Sequence, residues 1–361
     1  APRTPVSRVQ MEPMKIEATP GGKAEAYDAA SLFEDGNAHL KAGKNAEAAA
    51  AFDRLLGEFP GSRFSVPALY NAGLAYEGLK RFGDAAERYR RILDEHSDSK
   101  QVKDALFRLG ACYAETGRWV ASSEIYGQAV KRPDLTLSDR IEATTRLGLA
   151  HFELTDLAVA EQHFGQAIEQ WKSHRDTDRL ESDFFLAMSH FYLAHIAHKR
   201  FRELPVRLPQ QQLERDLEAK ARAFLDAQTK YVEAIKVKNP SWATASGYHV
   251  GTLYRELYDA LAKAPLPPEL NSADKRVIYD LLLRDKLRVL LEKAKDILEK
   301  NVSMAERVGV KNGWVERSTE QLGELDKLLS GLDNPAPNAP GEAPKTPSRP
   351  APKDNKTRAT L

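Results

Sequence analysis

A single cysteine, Cys112, in 361 residues excludes an intramolecular disulfide and any cysteine-rich metal centre. One thiol suits a reducing compartment, or an envelope protein that avoids thiols. Charge of neither sign is in surplus. Lys and Arg number 53 against 52 Asp and Glu, so no overall field draws the chain to nucleic acid or a membrane surface. No apolar run approaches the roughly 18 residues that a spanning helix needs. Glycine-rich phosphate loops, a GxSxG elbow and an HExxH pair are also missing, which removes the sequence basis for phosphoryl transfer, serine hydrolysis or zinc proteolysis. No enzyme activity, cofactor or metal is expected.

Proline gathers at the two ends. Residues 1–23 hold four prolines and Gly21–Gly22, and seven more prolines lie between Pro335 and Pro352. Both stretches read as extended and unpacked: a flexible tether over 1–23 and a disordered tail over 332–361. The start at Ala1 rather than Met gives the expectation of a mature product, anchored just upstream by a lipid on a removed cysteine.

Between the tails the chain repeats. Gly36, Gly73 and Gly110 are 37 residues apart and Gly148 follows 38 later. Phe52, Tyr89, Tyr126 and Phe164 keep the same step, as do Ala48, Ala85, Ser122 and Ala160. Small residues allow close backbone approach within a helical hairpin, and aromatic residues fill the wedge between successive hairpins.

This pattern resembles the tetratricopeptide repeat (TPR). The small positions of that motif match Gly73 and Ala85, and its aromatic positions match Tyr76 and Tyr89. Its closing proline is Pro60 in the first repeat but Ser97 in the second, and Leu32, Leu69 and Leu106 stand where it often has tryptophan. The connectors are lengthened, as in EFPGSRFSVPALY, which is similar to TPR proteins of the bacterial outer-membrane assembly and Tol–Pal systems. The stretch from WATASGYHVG through APLPPELNSADK resembles TPR proteins of myxobacteria, several tied to gliding motility or envelope machinery. The resemblance implies an all-α superhelix of about six helical hairpins: a TPR array over 24–200, then divergent helical repeats and a capping helix over 201–331. One long amphipathic helix is expected from Ala273 to about Val308, and a last helix over 312–329 with Asn312 as N-cap.

Candidate sites follow from this frame. His190, His195 and His198 share one helix without the i, i+4 pair and acidic third ligand that zinc favours, so they read as packed side chains, and Cys112 as a small buried hydrophobe. Phe33, Tyr70 and Phe107 recur on one helix face, with Leu74 beside them, as a partner-binding groove or as interhelix packing. Some TPR domains carry a clamp of Lys, Asn, Asn, Lys and Arg that grips a peptide carboxylate. That resemblance places Asn37, Asn71 and Arg108 on its amide and arginine positions, but Phe33 and Asp104 on its lysine positions. Finally Leu283, Leu287, Leu290, Ala294, Ile297, Asn301, Met304 and Val308 alternate steps of four and three, as an oligomer seam with one polar residue or as packing on the preceding repeat.

The function expected from these features is a non-catalytic protein–protein interaction scaffold or assembly factor in a bacterial envelope complex. Its partners would be other proteins, not nucleic acid, and its place the periplasm beside the outer membrane. A cytosolic adaptor for peptide C-termini and a self-assembling structural protein are the alternatives.

Overall fold

The structure, a computed structural model, describes residues 13–18, 24–266 and 272–333. The proline-rich tail, most of the expected tether and most of the PLPPEL break lie outside the described residues. Two strands, β1 (Met14–Ala18) and β2 (Ala24–Asp28), precede α1 (Ala29–Lys41), α2 (Asn45–Glu58), α3 (Ser65–Gly78), α4 (Phe82–Glu95), α5 (Val102–Glu115) and α6 (Trp119–Ala129). The remaining helices are α7 (Leu137–Glu153), α8 (Leu157–His174), α9 (Phe184–Glu203), α10 (Gln210–Lys236), α11 (Pro240–Ala262), α12 (Ala273–Val308) and α13 (Gly313–Asp333). Each helix packs on its chain neighbours, and first helices of successive hairpins also touch: α1 on α3, α7 on α9, α9 on α11. The result is an all-α solenoid of six hairpins closed by α13.

The glycine period has a direct cause. A Cβ added at Gly36, Gly73, Gly110 or Gly148 would stand 2.6, 2.5, 2.7 or 2.9 Å from the ring of Phe52, Tyr89, Tyr126 or Phe164, closer than carbon atoms approach. Each of those rings is buried, worth about 2–3 kcal/mol, which outweighs the roughly 1 kcal/mol that a glycine costs a helix. The turn inside each of the first four hairpins is also repeated. Gly43, Lys80, Gly117 and Thr155 adopt φ of 71°, 58°, 70° and 62°. The next residue then donates its N–H to the carbonyl five positions back: Lys44 to His39, Arg81 to Tyr76, Arg118 to Tyr113, Asp156 to His151. This six-to-one closure ends a helix by satisfying its last carbonyls.

Two expectations change, and one choice left open is filled. First, β1 lies inside the stretch read as a flexible tether. It pairs antiparallel with β2, Met14 opposite Asp28 and Ile16 opposite Ala26. A lone hairpin is marginal; this one is held on α2. Lys15 pairs with Glu58 at 3.3 Å and Glu17 pairs with Arg54. The Tyr27 hydroxyl donates to Glu58 at 2.6 Å, while its ring lies under the Arg54 guanidinium.

Second, the boundary expected at 200–201 falls inside α9, which runs to Glu203. The chain leaves the helix before Pro205, which follows extended Leu204. Buried Lys220 then donates to the carbonyls of Phe201 and Leu204 at 3.0 and 2.8 Å, two acceptors that the helix end would otherwise leave open.

Third, the stripe on α12 is used inside the chain. Leu287, Leu291, Ala294, Leu298, Asn301 and Ala305 are buried where α12 packs on α11 and α13. Ile297 packs beside Trp242 and Trp314. Leu283, Leu290 and Met304 are half-buried, and Val308 is exposed. Asn301 donates to the Thr244 carbonyl on α11 and to the Ser318 hydroxyl on α13, both at 3.0 Å, so its polar group joins three helices of one chain.

Candidate functional site

The groove candidates sit on the first helices: Phe33 and Asn37 on α1, Tyr70, Asn71 and Leu74 on α3, Phe107 and Arg108 on α5. The recurring rings are half-buried, and each meets the second-helix ring of its own repeat. Phe33 lies 5.9 Å from Phe52, Tyr70 5.7 Å from Tyr89, and Phe107 6.2 Å from Tyr126, centroid to centroid. Phe33 also stacks on Phe64, with centroids 5.1 Å apart, whereas Tyr70 and Phe107 line a cavity.

The clamp residues are spoken for within the chain. Asn71 donates to the side-chain oxygen of Asn37 at 2.8 Å, and Arg108 pairs with Glu77 at 2.9 Å. Arg108, but neither asparagine, lines a cavity of about 370 Å³ together with Tyr70, Asp104, Phe107, Asp139, Glu142 and Arg146. The α7 residues were not foreseen, although the period held their signal. Glu142 and Arg146 lie 38 residues beyond Asp104 and Arg108, the same step that carries Gly110 to Gly148. Carboxylates and guanidinium groups thus alternate along an apolar floor. Lys103 pairs with Asp139 at 2.9 Å and Arg146 with Glu142 at 2.7 Å, which fixes the rim charges in place.

A larger recess of about 900 Å³ lies among α8, α9, α10 and the 175–183 connector, with Trp171, Arg175, Arg179, His190 and Glu233 on its walls. His190 is thereby separated from its sequence neighbours. His195 and His198 instead point to a residue that the sequence reading passed over, His249 on α11. One ring nitrogen of each of these three lies within 4.8 Å of the others, the one such convergence of three ligating side chains among the described residues. The Tyr231 hydroxyl from α10 lies 3.2 Å from His195 Nδ1 and 3.1 Å from His198 Nδ1. Glu256 accepts from His198 Nε2 at 2.9 Å and holds Arg202 in a two-pronged pair. His249 stacks flat on the Tyr231 ring.

Electrostatics in this cluster run in one direction. Burial, reinforced by neighbouring imidazoles and Arg202, lowers His195 to about 4 and His249 to about 2. For Glu256 burial acts upward, but hydrogen bonds from His198 and Arg202 outweigh it and hold the carboxyl at about 2. All three groups bind fewer protons folded than unfolded, so their contribution is complete above the unfolded histidine value of roughly 6.5. It drains as pH falls, through both histidines together from about 6.5, ending near 4 for His195 and near 2 for His249. Thermal melts followed by circular dichroism, with EDTA present, are therefore expected to lose on the order of a few kcal/mol between about pH 6.5 and pH 4. His195→Asn should flatten that slope; an unchanged slope would remove His195 as its source. The Cys112 thiol is buried, and burial pushes it up to about 12, which leaves it unreactive.

Among the described residues no helix is long and apolar enough to cross a membrane. Comparison with known proteins bears on the repeat. Residues 23–63, 33–100 and 70–135 match the family described as tetratricopeptide repeat. No curated protein sequence matches the chain. Solved structures similar in fold include MamA, 15% identical over 56% of this chain and 96% of its own, with a TM-score of 0.39. A tetratricopeptide repeat protein from Parabacteroides merdae is 14% identical over 85% of this chain and 99% of its own, TM-score 0.40. The Pseudomonas aeruginosa pilF protein is 15% identical over 81% and 97%, also at 0.40. Likenesses of this size carry nothing about what the chain does. The matched windows take in the first three hairpins, and over them the chain is similar to tetratricopeptide repeats.

Proposed function

We propose that this chain is a non-catalytic protein–protein interaction scaffold of a bacterial envelope complex, motility or secretion machinery included, working in the periplasm beside the outer membrane. Tetratricopeptide repeats in general bind other proteins, and the lengthened connectors support the envelope assignment through their resemblance to repeat proteins of that compartment. The observation that carries the binding role is the groove across α3, α5 and α7. Its half-buried Tyr70 and Phe107 offer apolar area, while Arg108, Arg146, Asp104 and Glu142 offer both signs of charge at fixed places. Such a surface suits a peptide segment with one apolar anchor flanked by charged residues.

The test starts from tagged protein cross-linked in intact cells, with partners identified from fractionated envelope and then bound to purified protein. Arg108 is exposed and pairs with Glu77, so Arg108→Gln, which sets no second carboxylate against Glu77, should leave the fold intact and weaken that partner by about 10–100-fold. Arg317→Glu on α13 should not. Equal affinity in both variants would remove the groove. Recovery from cytosol with chaperones, bound only through free C-termini, would replace the envelope assignment with the peptide clamp.

A further inference from the structure

The histidine cluster joins the fifth hairpin to the sixth, and its hydrogen bonds do not close. His198 Nε2 donates to Glu256, which leaves its Nδ1 as a lone pair. The Tyr231 hydroxyl donates to that lone pair at 3.1 Å and accepts from His195 Nδ1–H at 3.2 Å, so the open end of the network is His249. His249 is 7% exposed, and its Nδ1 is buried without a partner among the described residues. An unsatisfied buried polar atom costs about 1–3 kcal/mol. Apolar side chains would fill this space without that penalty, so three converging imidazoles ask for another explanation.

We propose that His195, His198 and His249 bind one divalent transition-metal ion of the zinc class, which pins α9 to α11. Nitrogen ligands about 2.0–2.1 Å from a tetrahedral zinc stand roughly 3.4 Å apart, with ring centroids roughly 5 Å apart. Here the centroids lie 5.0 Å apart for His195 and His249, 5.9 Å for His198 and His249, and 6.4 Å for His195 and His198. Rotation about χ2, a soft torsion, turns the nitrogens inward, and shifts of about 1 Å at χ1 bring the wider centroid pairs together. Glu256 supplies the carboxylate that fixes a ligating imidazole, and Arg202 fixes Glu256 in turn. An all-nitrogen set excludes the hard cations calcium and magnesium, which need oxygen donors.

The surroundings point to a structural ion. Phe191, Tyr248 and Trp314 close round His249 with centroids at 5.4, 5.2 and 5.2 Å, so bulk water is kept off. Half-buried His195 is the side from which an ion would arrive. This site stands independently of the groove and of the partner it holds.

Full-length protein freed of metal with EDTA is titrated with Zn²⁺ by calorimetry and with Co²⁺ by visible absorption. The expected result is one equivalent bound, a four-coordinate cobalt spectrum, and an unfolding midpoint raised by about 4 °C or more at saturating Zn²⁺. Glu256→Gln should weaken binding by about 10–100-fold, and His249→Gln by more. His151→Gln, which breaks the stacked His151–His163 pair elsewhere on the chain, should change nothing. Less than one equivalent on the wild-type protein, or no rise in midpoint, overturns the proposal even if a variant fails to fold. So does undiminished binding by folded His249→Gln, or its loss in His151→Gln.

Discussion

Gly73→Val is expected to lower stability by about 3 kcal/mol, while Gly83→Ala, one helix later, raises it by about 0.5–1 kcal/mol. The contrast rests on what each new side chain meets. At Gly73 a Cβ would stand 2.5 Å from Tyr89 Cζ, and at Gly83 nothing lies within 4 Å. Tyr89 cannot step aside. Its ring is fully buried, its hydroxyl donates to Glu77 at 2.7 Å, and Glu77 in turn pairs with Arg108 at 2.9 Å. A larger residue at 73 therefore pushes on the core and, through Glu77, on the groove-side arginine. Overpacking of this kind costs about 1–3 kcal/mol, and valine adds χ1 crowding that alanine lacks. Urea midpoints of Gly73→Val, Gly73→Ala and Gly83→Ala decide the matter. If Gly73→Ala and Gly83→Ala move together, the helix preference dominates and the close approach does not.

That pair of residues also shows why the array was legible. Spacing between Gly73 and Tyr89 is local to one hairpin, and the fold repeats it at Gly36, Gly110 and Gly148, so periodicity exposes it. The same holds for the Asn312 cap, whose side chain accepts from Trp314 N and Val315 N at 3.1 and 3.2 Å. What stayed hidden depends on partners far along the chain. β1 has little strand character of its own, and Lys15, Glu17 and Tyr27 order it by meeting Arg54 and Glu58. His249 comes from the next hairpin, past the 204–209 connector that breaks the step, so a search along one helix could not bring it to His195 and His198. The groove lay between these cases. Its α1, α3 and α5 residues followed the motif, whereas Glu142 and Arg146 needed the period carried one repeat further.

The α12 stripe was ambiguous for a different reason: a heptad seam and an intramolecular stripe have the same spacing, and only the third partner separates them. Asn301 makes the two readings testable. Its amide donates to Thr244 on α11 and Ser318 on α13, and Gly247 gives it room, since a Cβ there would stand 2.3 Å from Asn301 Oδ1. Asn301→Ala loses two buried hydrogen bonds, each worth about 1 kcal/mol net, and leaves a small cavity; about 2–3 kcal/mol of stability should go with them. Asn301→Asp should cost about 3–5 kcal/mol, because a carboxylate cannot donate and would face the Thr244 carbonyl. That buried carboxyl would have its pKa raised, so the penalty is largest at neutral pH and shrinks relative to wild type as pH falls and the acid form returns a donor. Urea melts of both variants measure the loss, and sedimentation over a range of concentrations measures mass. Reduced stability at unchanged mass fits an asparagine that ties α13 to the end of the solenoid. Concentration-dependent mass in the wild type, abolished by Asn301→Ala with stability retained, would instead make α12 a seam between copies of the chain.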